Sequence, residues 1–287
     1  DLKPGDEILM SNHEYGALVR AWSNWGRRQQ VKIVQQEVKL PVTTRENFTD
    51  NFWAGVTQRT KVIFLSQITS ATALEFPVQS LCELAREKGI LTIIDGAHVP
   101  GQMDLNLNEL DCDFYTGACH KWLCAPKGTS FLYVKKEHQP WVRPLIYSWG
   151  KDGDDPGPSE FLQDFQWQGT RDMAAFLTLP KVIQFFQEHI EGKRLSCKKL
   201  IRKTGAELAR LFNTPPIYAS ADWIHQMVSH PLPVNAPEDI KERLWAAYKI
   251  EIPVFQWCGQ RYIRVSCNVY NTDQQVEYFL NALRSLI

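Results

Sequence analysis

The sequence has no long hydrophobic run and no excess of charge of either sign. None of its apolar stretches approaches the ~18 to 20 residues that a helix needs to cross a bilayer, and its first residues show neither a basic leader nor a signal-peptide core. Lysine plus arginine equals aspartate plus glutamate at 32 each, so no global field attracts nucleic acid or an anionic membrane. We therefore expect a cytoplasmic protein that binds neither nucleic acid nor membrane.

Several signatures of cofactor and metal sites are also missing. No G-x-G-x-x-G follows a predicted strand and no G-x-x-x-x-G-K-[ST] occurs, which argues against a nicotinamide cofactor and a nucleoside triphosphate. A G-x-S-x-G nucleophile elbow is absent as well. The seven cysteines are odd in number and scattered, which favours reduced thiols over a disulfide framework. Cys119, His120 and Cys124 lack the spacing of a paired C-x2-C zinc site, so we expect no bound metal.

The residues that are present favour an α/β fold. With 44% hydrophobic residues, a chain of 287 residues can bury a sizeable core. Segments rich in β-branched and aliphatic residues alternate with segments of helical period, which predicts a mostly parallel sheet covered by helices. Residues 150–158 hold glycine, proline and aspartate too densely for regular structure and predict an exposed loop. Strands are predicted over residues 6–11, 30–38, 62–68, 90–95, 113–118 and 129–134, and helices over 14–28 and 78–89.

The C-terminal part of the chain has a different organisation. Residues 173–190 have a helical pattern, in which we expect Pro180 to kink or cap the helix. From about residue 215, short strand and helix segments alternate, which predicts a second, smaller α/β domain. We therefore expect a large domain at residues 1–190 and a small C-terminal domain at residues 191–287.

Three polar residues follow predicted strands, at the edge where ligands gather in open α/β sheets. Asp95 ends one buried strand, Lys121 follows the next, and Ser70 lies just beyond the strand at 62–68. An aldehyde cofactor with a pyridine ring needs two such groups, an amine for a Schiff base and a carboxylate that keeps the ring nitrogen protonated. Taken singly, Asp95 is also compatible with a turn cap and Lys121 with a solvated surface residue.

The segment around Asp95 and Lys121 is IDGAHVPGQMDLNLNELDCDFYTGACHKWLCAPKG. It resembles the pyridoxal phosphate (PLP) site of the class V aminotransferase family, which has the PLP-dependent fold type I and includes cysteine desulfurases and isopenicillin N epimerases. The histidine-lysine-tryptophan order followed by APKG is most like the isopenicillin N epimerase branch. The similarity extends through WQGTRDMAAFLTLP and RYIRVSCNVYN. It implies a PLP cofactor and a mostly parallel, seven-stranded type of sheet in the large domain.

The resemblance implies roles for residues around the cofactor ring. Lys121 resembles the Schiff-base lysine, and Asp95 resembles the carboxylate that pairs with the pyridinium. Tyr15 matches the position where the family stacks an aromatic or histidine ring on the cofactor face, although packing in the core accounts for such a residue equally well. His98 and Ser70 match positions near the ring hydroxyl.

The match to the family's phosphate contacts is less complete. His120 matches a phosphate-contacting histidine, and Thr170 matches a threonine offered across a dimer interface to the neighbouring subunit's phosphate. The resemblance therefore implies a homodimer. The serine that desulfurases carry three residues before the lysine is Ala118 here. The family's N-terminal phosphate-binding turn corresponds to a point before residue 1, so we expect the large domain to lack its N-terminal portion.

The substrate side of the site bears on the reaction. Arg264 matches the arginine that grips the α-carboxylate of an amino-acid substrate, with Arg171 as a second candidate. A desulfurase needs a cysteine on a mobile loop before this strand, but Cys258 lies only six residues before Arg264 and its surroundings are typical of a hairpin turn. We therefore expect an epimerase or racemase of the isopenicillin N epimerase type, in which Lys121 carries the α-proton.

Other reactions stay open on the same scaffold. An aminotransferase, or a C–S or other β-elimination lyase of the cysteine desulfurase type, would use the same residues and differ in its product. A chain without its phosphate-binding turn could instead be a non-catalytic fragment.

Overall fold

The computed structural model describes residues 2–153 and 157–287, which form two β-sheets with helices packed around them. Each strand expected in the large domain is present, within two residues of its predicted ends. The described residues give this sheet six strands where the resemblance implied seven, and the six account for every strand that the hydrophobic pattern predicts there. The strands are β1 (Glu7–Ser11), β2 (Lys32–Gln36), β3 (Thr60–Ser66), β4 (Leu91–Asp95), β5 (Phe114–Ala118) and β6 (Ser130–Val134).

The topology of this sheet brings several strand ends to one edge. The order is β2-β1-β3-β4-β5-β6, in which β1 to β5 run parallel and β6 pairs antiparallel with β5. Because parallel strands need long crossover connections, helices cover the sheet and the carboxyl ends of β1, β3, β4 and β5 meet at the same edge. In the register of β3 with β4, Ser66 lies opposite Asp95.

The helices largely follow the predicted pattern. Residues 173–190, expected as one helix, form two helices that meet at Thr178, because Pro180 fits the first turn of a helix but interrupts an interior turn. No helix of the described residues is long and apolar enough to cross a membrane. The α-helices are α1 (Gly16–Gln29), α2 (Arg45–Trp53), α3 (Val78–Glu87), α4 (Leu107–Leu110), α5 (Glu160–Gln166), α6 (Ala174–Leu177), α7 (Leu179–His189), α8 (Arg194–Phe212), α9 (Ile240–Tyr248) and α10 (Asp273–Leu286).

Helix α2 was not predicted from the sequence. Polar residues dominate it, and its buried apolar side chains are Phe48 and Phe52, one helical turn apart. The Thr44 hydroxyl accepts a hydrogen bond from the Asn47 backbone N–H and caps the first turn. Tertiary packing of two aromatic rings and a cap therefore stabilise a segment with a weak helical pattern.

The smaller sheet ends in a tight hairpin. Its strands are β7 (Met227–Pro231), β8 (Val254–Trp257) and β9 (Gln260–Ser266), in the antiparallel order β7-β9-β8. Cys258 and Gly259 connect β8 to β9 with φ angles of 45° and 78°. Two left-handed residues match the twist of a two-residue hairpin, so Cys258 is a turn residue, as its sequence context indicates.

The buried core is continuous between the two sheets. Leu9 and Ile63 of the larger sheet belong to the same cluster of buried side chains as Val228 and Ile263 of the smaller sheet. Such a shared core joins the two sheets through apolar contacts. The domain boundary at residue 190 stays a prediction.

All seven cysteines are free thiols in the structure, which agrees with the reduced state expected from their number. Cys124 and Cys258 are exposed. The others are buried: Cys82, Cys112, Cys119, Cys197 and Cys267. Burial raises the pKa of Cys82 and of Cys112 to about 12.

Candidate active site

Asp95 lies buried at the carboxyl end of β4. Its Oδ1 accepts a hydrogen bond from the Ala97 backbone N–H at 2.9 Å, which is the turn-cap contact considered from the sequence. Within residues 2–153 and 157–287, no donor is bonded to Oδ2. A side chain at Gly96 would collide with the Tyr115 ring and hydroxyl, so glycine is required for the backbone after Asp95 to pass this close to Tyr115. Burial raises the pKa of Asp95, while the Ala97 N–H and the Lys121 charge oppose the rise.

Lys121 lies in the turn after β5, exposed as a residue but with its amine against buried groups. Its Nζ lies 3.3 Å from Nε2 of His98, in the turn that follows Asp95. Burial lowers the pKa of Lys121, the positive Arg264 adds to this effect, and Asp95 opposes it. The site therefore makes the Lys121 amine easier to deprotonate than a lysine in water.

Arg264 reaches the same edge from β9 of the smaller sheet. Its Nη1 donates to the Ser70 backbone carbonyl and, at 3.2 Å, to the Ser70 hydroxyl. The Arg264 Nε is buried and has no hydrogen-bond partner among the described residues. A buried guanidinium N–H without a partner is costly, which suits a site that an anionic group completes.

A cavity of about 570 Å³ opens beside Arg264 and Ser70, and neither Asp95 nor Lys121 is among its lining residues. Tyr15, Ser70 and Arg264 line it together with side chains of the β8–β9 hairpin. The Tyr15 ring is about half exposed at the start of α1. This excludes the alternative, considered from the sequence, that Tyr15 packs in the core. A volume of this size is typical of small-molecule pockets.

Trp257 fixes the hairpin wall of this cavity. Its Nε1 donates to the Asn12 backbone carbonyl at 3.2 Å, and its ring packs against His13 with centroids 4.4 Å apart. The hairpin is thereby anchored to the segment that precedes Tyr15.

Glu14 is a site residue that the sequence analysis missed. It is buried, its Oε1 accepts from the Ser11 hydroxyl, and its Oε2 accepts from both the N–H and the hydroxyl of Ser66. Burial raises the pKa of Glu14 to about 7, and the negative Asp95 contributes to the rise while the serine hydrogen bonds oppose it. Its position directly before Tyr15 was the available signal.

His120 and Thr170 are not joined to this cluster by hydrogen bonds among the described residues. His120 Nδ1 donates to the Thr129 backbone carbonyl at 2.9 Å, which leaves Nε2 for another partner. Thr170 is exposed in the loop before α6. Of the loop predicted at residues 150–158, positions 154–156 lie outside the described residues.

The predicted absence of metal concerned the Cys119, His120 and Cys124 segment. Within the described residues, the group of side chains with ligand atoms close enough for a metal is a different one, Asp113, Glu137 and His138. There, His138 Nε2 lies 2.5 Å from Asp113 Oδ1. These contacts are an ordinary histidine–carboxylate pair.

Comparison with known proteins places this arrangement in a family. A family model for class V aminotransferases matches residues 1–279. The chain belongs to the class V aminotransferase family. An isopenicillin N epimerase from Amycolatopsis lactamdurans is 32% identical over 300 residues, which cover 99% of this chain and 75% of the relative. A probable chloroplastic L-cysteine desulfhydrase from Arabidopsis thaliana is 25% identical over 309 residues, which cover 99% of this chain and 64% of the relative.

Solved structures share the fold of this class V chain. The apo cysteine desulfurase from Thermococcus onnurineus NA1 matches with a TM-score of 0.81 at 21% identity, over 99% of this chain and 73% of that one. The cysteine desulfurase CsdA from Escherichia coli matches with a TM-score of 0.81 at 20% identity, over the same shares of the two chains. At these identities the likeness supports the fold alone. The predicted family, fold class and PLP dependence are confirmed.

The residues at the sheet edge fit PLP. Lys121 is exposed as a residue and the Asp95 Oδ2 is free of donors among the described residues, which suits a carbonyl-binding amine and a ring-nitrogen partner. Tyr15 presents an exposed ring, and Arg264 presents an unpartnered N–H for an anion. The individual assignments of these residues stay predictions.

Proposed function

We propose that this class V enzyme acts at the α-carbon of an amino acid as an epimerase or racemase of the isopenicillin N epimerase type. The relative of highest identity reported above carries that name, and the chain spans about three quarters of its length. Bound PLP supplies the electron sink for the charge that is released when the α-proton is lost. The protein's part is to hold the cofactor, orient the substrate and move the proton.

Each residue has a defined part in this proposal. Lys121 Nζ would hold the cofactor aldehyde until the substrate amine displaces it, and the released Lys121 amine would then remove or return the α-proton. Asp95 Oδ2 holds the proton on the ring nitrogen, and Arg264 pairs with the substrate carboxylate.

The remaining residues hold the cofactor in this proposal. Tyr15 covers the ring face, while His98 and Ser70 lie near the ring hydroxyl. His120 and a partner subunit's threonine at position 170 contact the phosphate.

The observation that carries the proposal is the convergence of three groups at one edge. The Lys121 amine, the Asp95 carboxylate and the Arg264 guanidinium come from separate elements. They are close enough to interact, since Asp95 raises the pKa of Lys121 and Arg264 lowers it. A general cation-binding or structural role would not require a buried, unpartnered arginine N–H beside a lysine whose pKa is lowered.

A visible absorption spectrum of the protein after addition of PLP tests the cofactor assignment, with Lys121→Ala beside it. We expect a new visible band, fixed by borohydride as a pyridoxyl group on the peptide that contains Lys121, in the lysine-containing protein only. Incubation with L-amino acids in D2O then tests the reaction, since an epimerase both exchanges the α-proton and produces the D-enantiomer. Exchange without inversion, or a keto-acid product, would contradict the epimerase assignment.

A β-elimination lyase is the second candidate, because relatives named as cysteine desulfhydrases match nearly the whole chain. The short hairpin at Cys258 argues against desulfuration, which needs a mobile thiol, but it does not affect elimination. Release of sulfide and pyruvate from cysteine distinguishes elimination from epimerisation in one assay.

The exposed apolar surface supports a homodimer. Leu145 and Trp149 are 103% and 86% exposed, and large apolar side chains in water gain free energy when another surface covers them. Thr170 lies in the same part of the chain, exposed and available to a neighbouring subunit. The exposed apolar segment consists of Trp141, Leu145, Ile146, Tyr147, Trp149, Leu162, Trp167, Leu177, Ile183, Phe185 and Leu195.

A further inference from the structure

The residue after Lys121 makes a directional contact with His98. Trp122 Nε1 lies 3.2 Å from His98 Nδ1, and both side chains are at least nine-tenths buried. An indole N–H can only donate a hydrogen bond. His98 Nδ1 must therefore accept, and it carries no proton in this arrangement.

The position of the second imidazole proton follows from this contact. Burial, the largest cause, lowers the pKa of His98 to about 3, so the ring is neutral. A neutral imidazole with an unprotonated Nδ1 carries its proton on Nε2. That N–H faces the Lys121 Nζ at 3.3 Å, and only an uncharged amine can accept it.

We propose that Trp122 is a positioning residue that fixes His98 as the Nε2–H tautomer and thereby favours the uncharged amine of Lys121. The tautomer is a property of this chain alone. We infer that this tautomer makes Lys121 more ready to condense with the cofactor aldehyde, and that part of the inference rests on the function proposed above.

The backbone is shaped for this contact. Gly101 has a φ angle of +93°, and a side chain there would come within 2.8 Å of the Trp122 and Leu123 backbone. Glycine thus lets the turn of Lys121 and Trp122 lie directly against the turn of His98. Gln102 Nε2 donates to the His98 carbonyl at 2.7 Å and holds that turn in place.

The opposite charge state creates a conflict. A protonated Lys121 would have to donate to Nε2, which would move the histidine proton to Nδ1 and set it against the Trp122 N–H. The other charged groups near the amine act in both directions, since Asp95 favours the charged amine and Arg264 disfavours it. Trp122 adds a requirement that depends on hydrogen-bond direction rather than on charge.

Nitrogen-15 NMR of the apoprotein, labelled at histidine, tests the tautomer without PLP. The chain has seven histidines, and His98→Gln identifies the resonances of residue 98. We expect a non-protonated Nδ1 and a protonated Nε2 at neutral pH. A protonated Nδ1 would overturn the proposal, whatever the outcome of the PLP experiment above.

Trp122→Phe tests the consequence for Lys121, because phenylalanine keeps a ring but removes the donor. We expect the apparent pKa of Lys121 to rise by about one unit, so that reductive methylation by formaldehyde and cyanoborohydride slows by about tenfold below that pKa. Mass spectrometry of the Lys121 peptide across pH measures this rate in the apoprotein.

Trp223→Phe is the matched control, since Trp223 is also buried and donates its Nε1 hydrogen to a backbone carbonyl, that of Thr43. It should lose comparable stability and leave the Lys121 profile unchanged. An unchanged profile in a folded Trp122→Phe protein, or an equal change in both variants, would refute the role of Trp122. If Trp122→Phe does not fold, the tautomer measured in the unsubstituted protein still decides the proposal.

Discussion

Asp95 shows at the scale of one residue how burial and function oppose each other. Burial raises its pKa, yet a ring-nitrogen partner must be charged. The Ala97 N–H and the Lys121 charge both stabilise the carboxylate. A protonated ring nitrogen would add to these two.

We predict that Asp95→Asn slows α-proton exchange by about 10² to 10³-fold, because asparagine leaves the geometry but removes the charge opposite the ring nitrogen. Affinity for PLP, followed by absorbance titration, should change by less than about tenfold. Asp113→Asn is the control, since the Asp113 carboxylate accepts hydrogen bonds from the Thr92 N–H and hydroxyl and makes none with Asp95 or Lys121 among the described residues. A loss confined to PLP affinity would contradict this assignment of Asp95.

Glu14 gives a prediction about stability. Its folded-state pKa is raised to about 7, so between about pH 4.5 and pH 7 the unfolded chain loses a proton that the folded protein keeps. The folded protein is therefore penalised as the pH rises through this window, by roughly 3 kcal/mol in all. Glu14→Gln removes this titration. As the pH rises through the window, the unfolding free energy of the variant should therefore increase by about that amount relative to that of the unsubstituted apoprotein.

Denaturant unfolding at pH 5 and pH 8 measures this difference. Glu75→Gln is a suitable control because the pKa of Glu75 is lowered, through hydrogen bonds to His225 and Arg45 that outweigh its burial. Its removal should cost stability at pH 8, the opposite sign. A parallel pH dependence in Glu14→Gln and the unsubstituted protein would show that Glu14 is ionised in the fold.

Single-residue contacts were the least predictable part of the site. The positions of Asp95 and Lys121 after two buried strands follow from the hydrophobic pattern, because such strands end at one edge of a parallel sheet. The contact of Trp122 with His98 does not follow, since it depends on side-chain direction in two turns 24 residues apart. Glu14 was missed because its position directly before Tyr15 does not by itself show whether the carboxylate is buried or on the surface.

At the scale of elements, the strands were predictable and the helix breaks less so. The six strands of the large sheet are short runs of β-branched and aliphatic residues, and this pattern can be recognised in the sequence without knowing how the strands pack. Helix α2 depends on a cap and on Phe48 and Phe52 packing in the core, which local pattern does not reveal. The break at Thr178 follows from Pro180, but whether a proline caps or kinks is settled by the fold.

The β8–β9 hairpin carries the prediction that Cys258 is not a nucleophile. We expect Cys258→Asn to keep α-proton exchange within about twofold, because asparagine tolerates the positive φ angle of this turn position. Steady-state kinetics of exchange are the measurement. Cys258→Ala, which removes the same thiol but fits the backbone less well, separates chemistry from folding. A loss of several orders of magnitude in both variants would show that the Cys258 thiol takes part in the reaction and would contradict this prediction.

At the scale of the whole molecule, the exposed apolar segment predicts self-association. Sedimentation equilibrium at micromolar concentration should give a dimer of the 33.1 kDa chain. Leu145→Glu and Trp149→Glu should shift the population towards monomer, because each would place a charge in an apolar contact. Val234→Glu is the control, since Val234 is equally exposed but lies outside that segment. A monomer that retains PLP would contradict both the dimer and the proposed role of Thr170.

The distribution of the seven thiols has a practical consequence. Five are sealed in the interior, while Cys124 lies on the turn that bears Lys121 and Cys258 lies on the hairpin of the smaller sheet. A thiol-reactive spin label or fluorophore would thus attach at two places in the unaltered protein, one on the turn that bears Lys121 and one on the hairpin of the smaller sheet. The separation of the two probes, measured with and without PLP or an amino acid, reports directly whether the sheets change their spacing when the cavity fills.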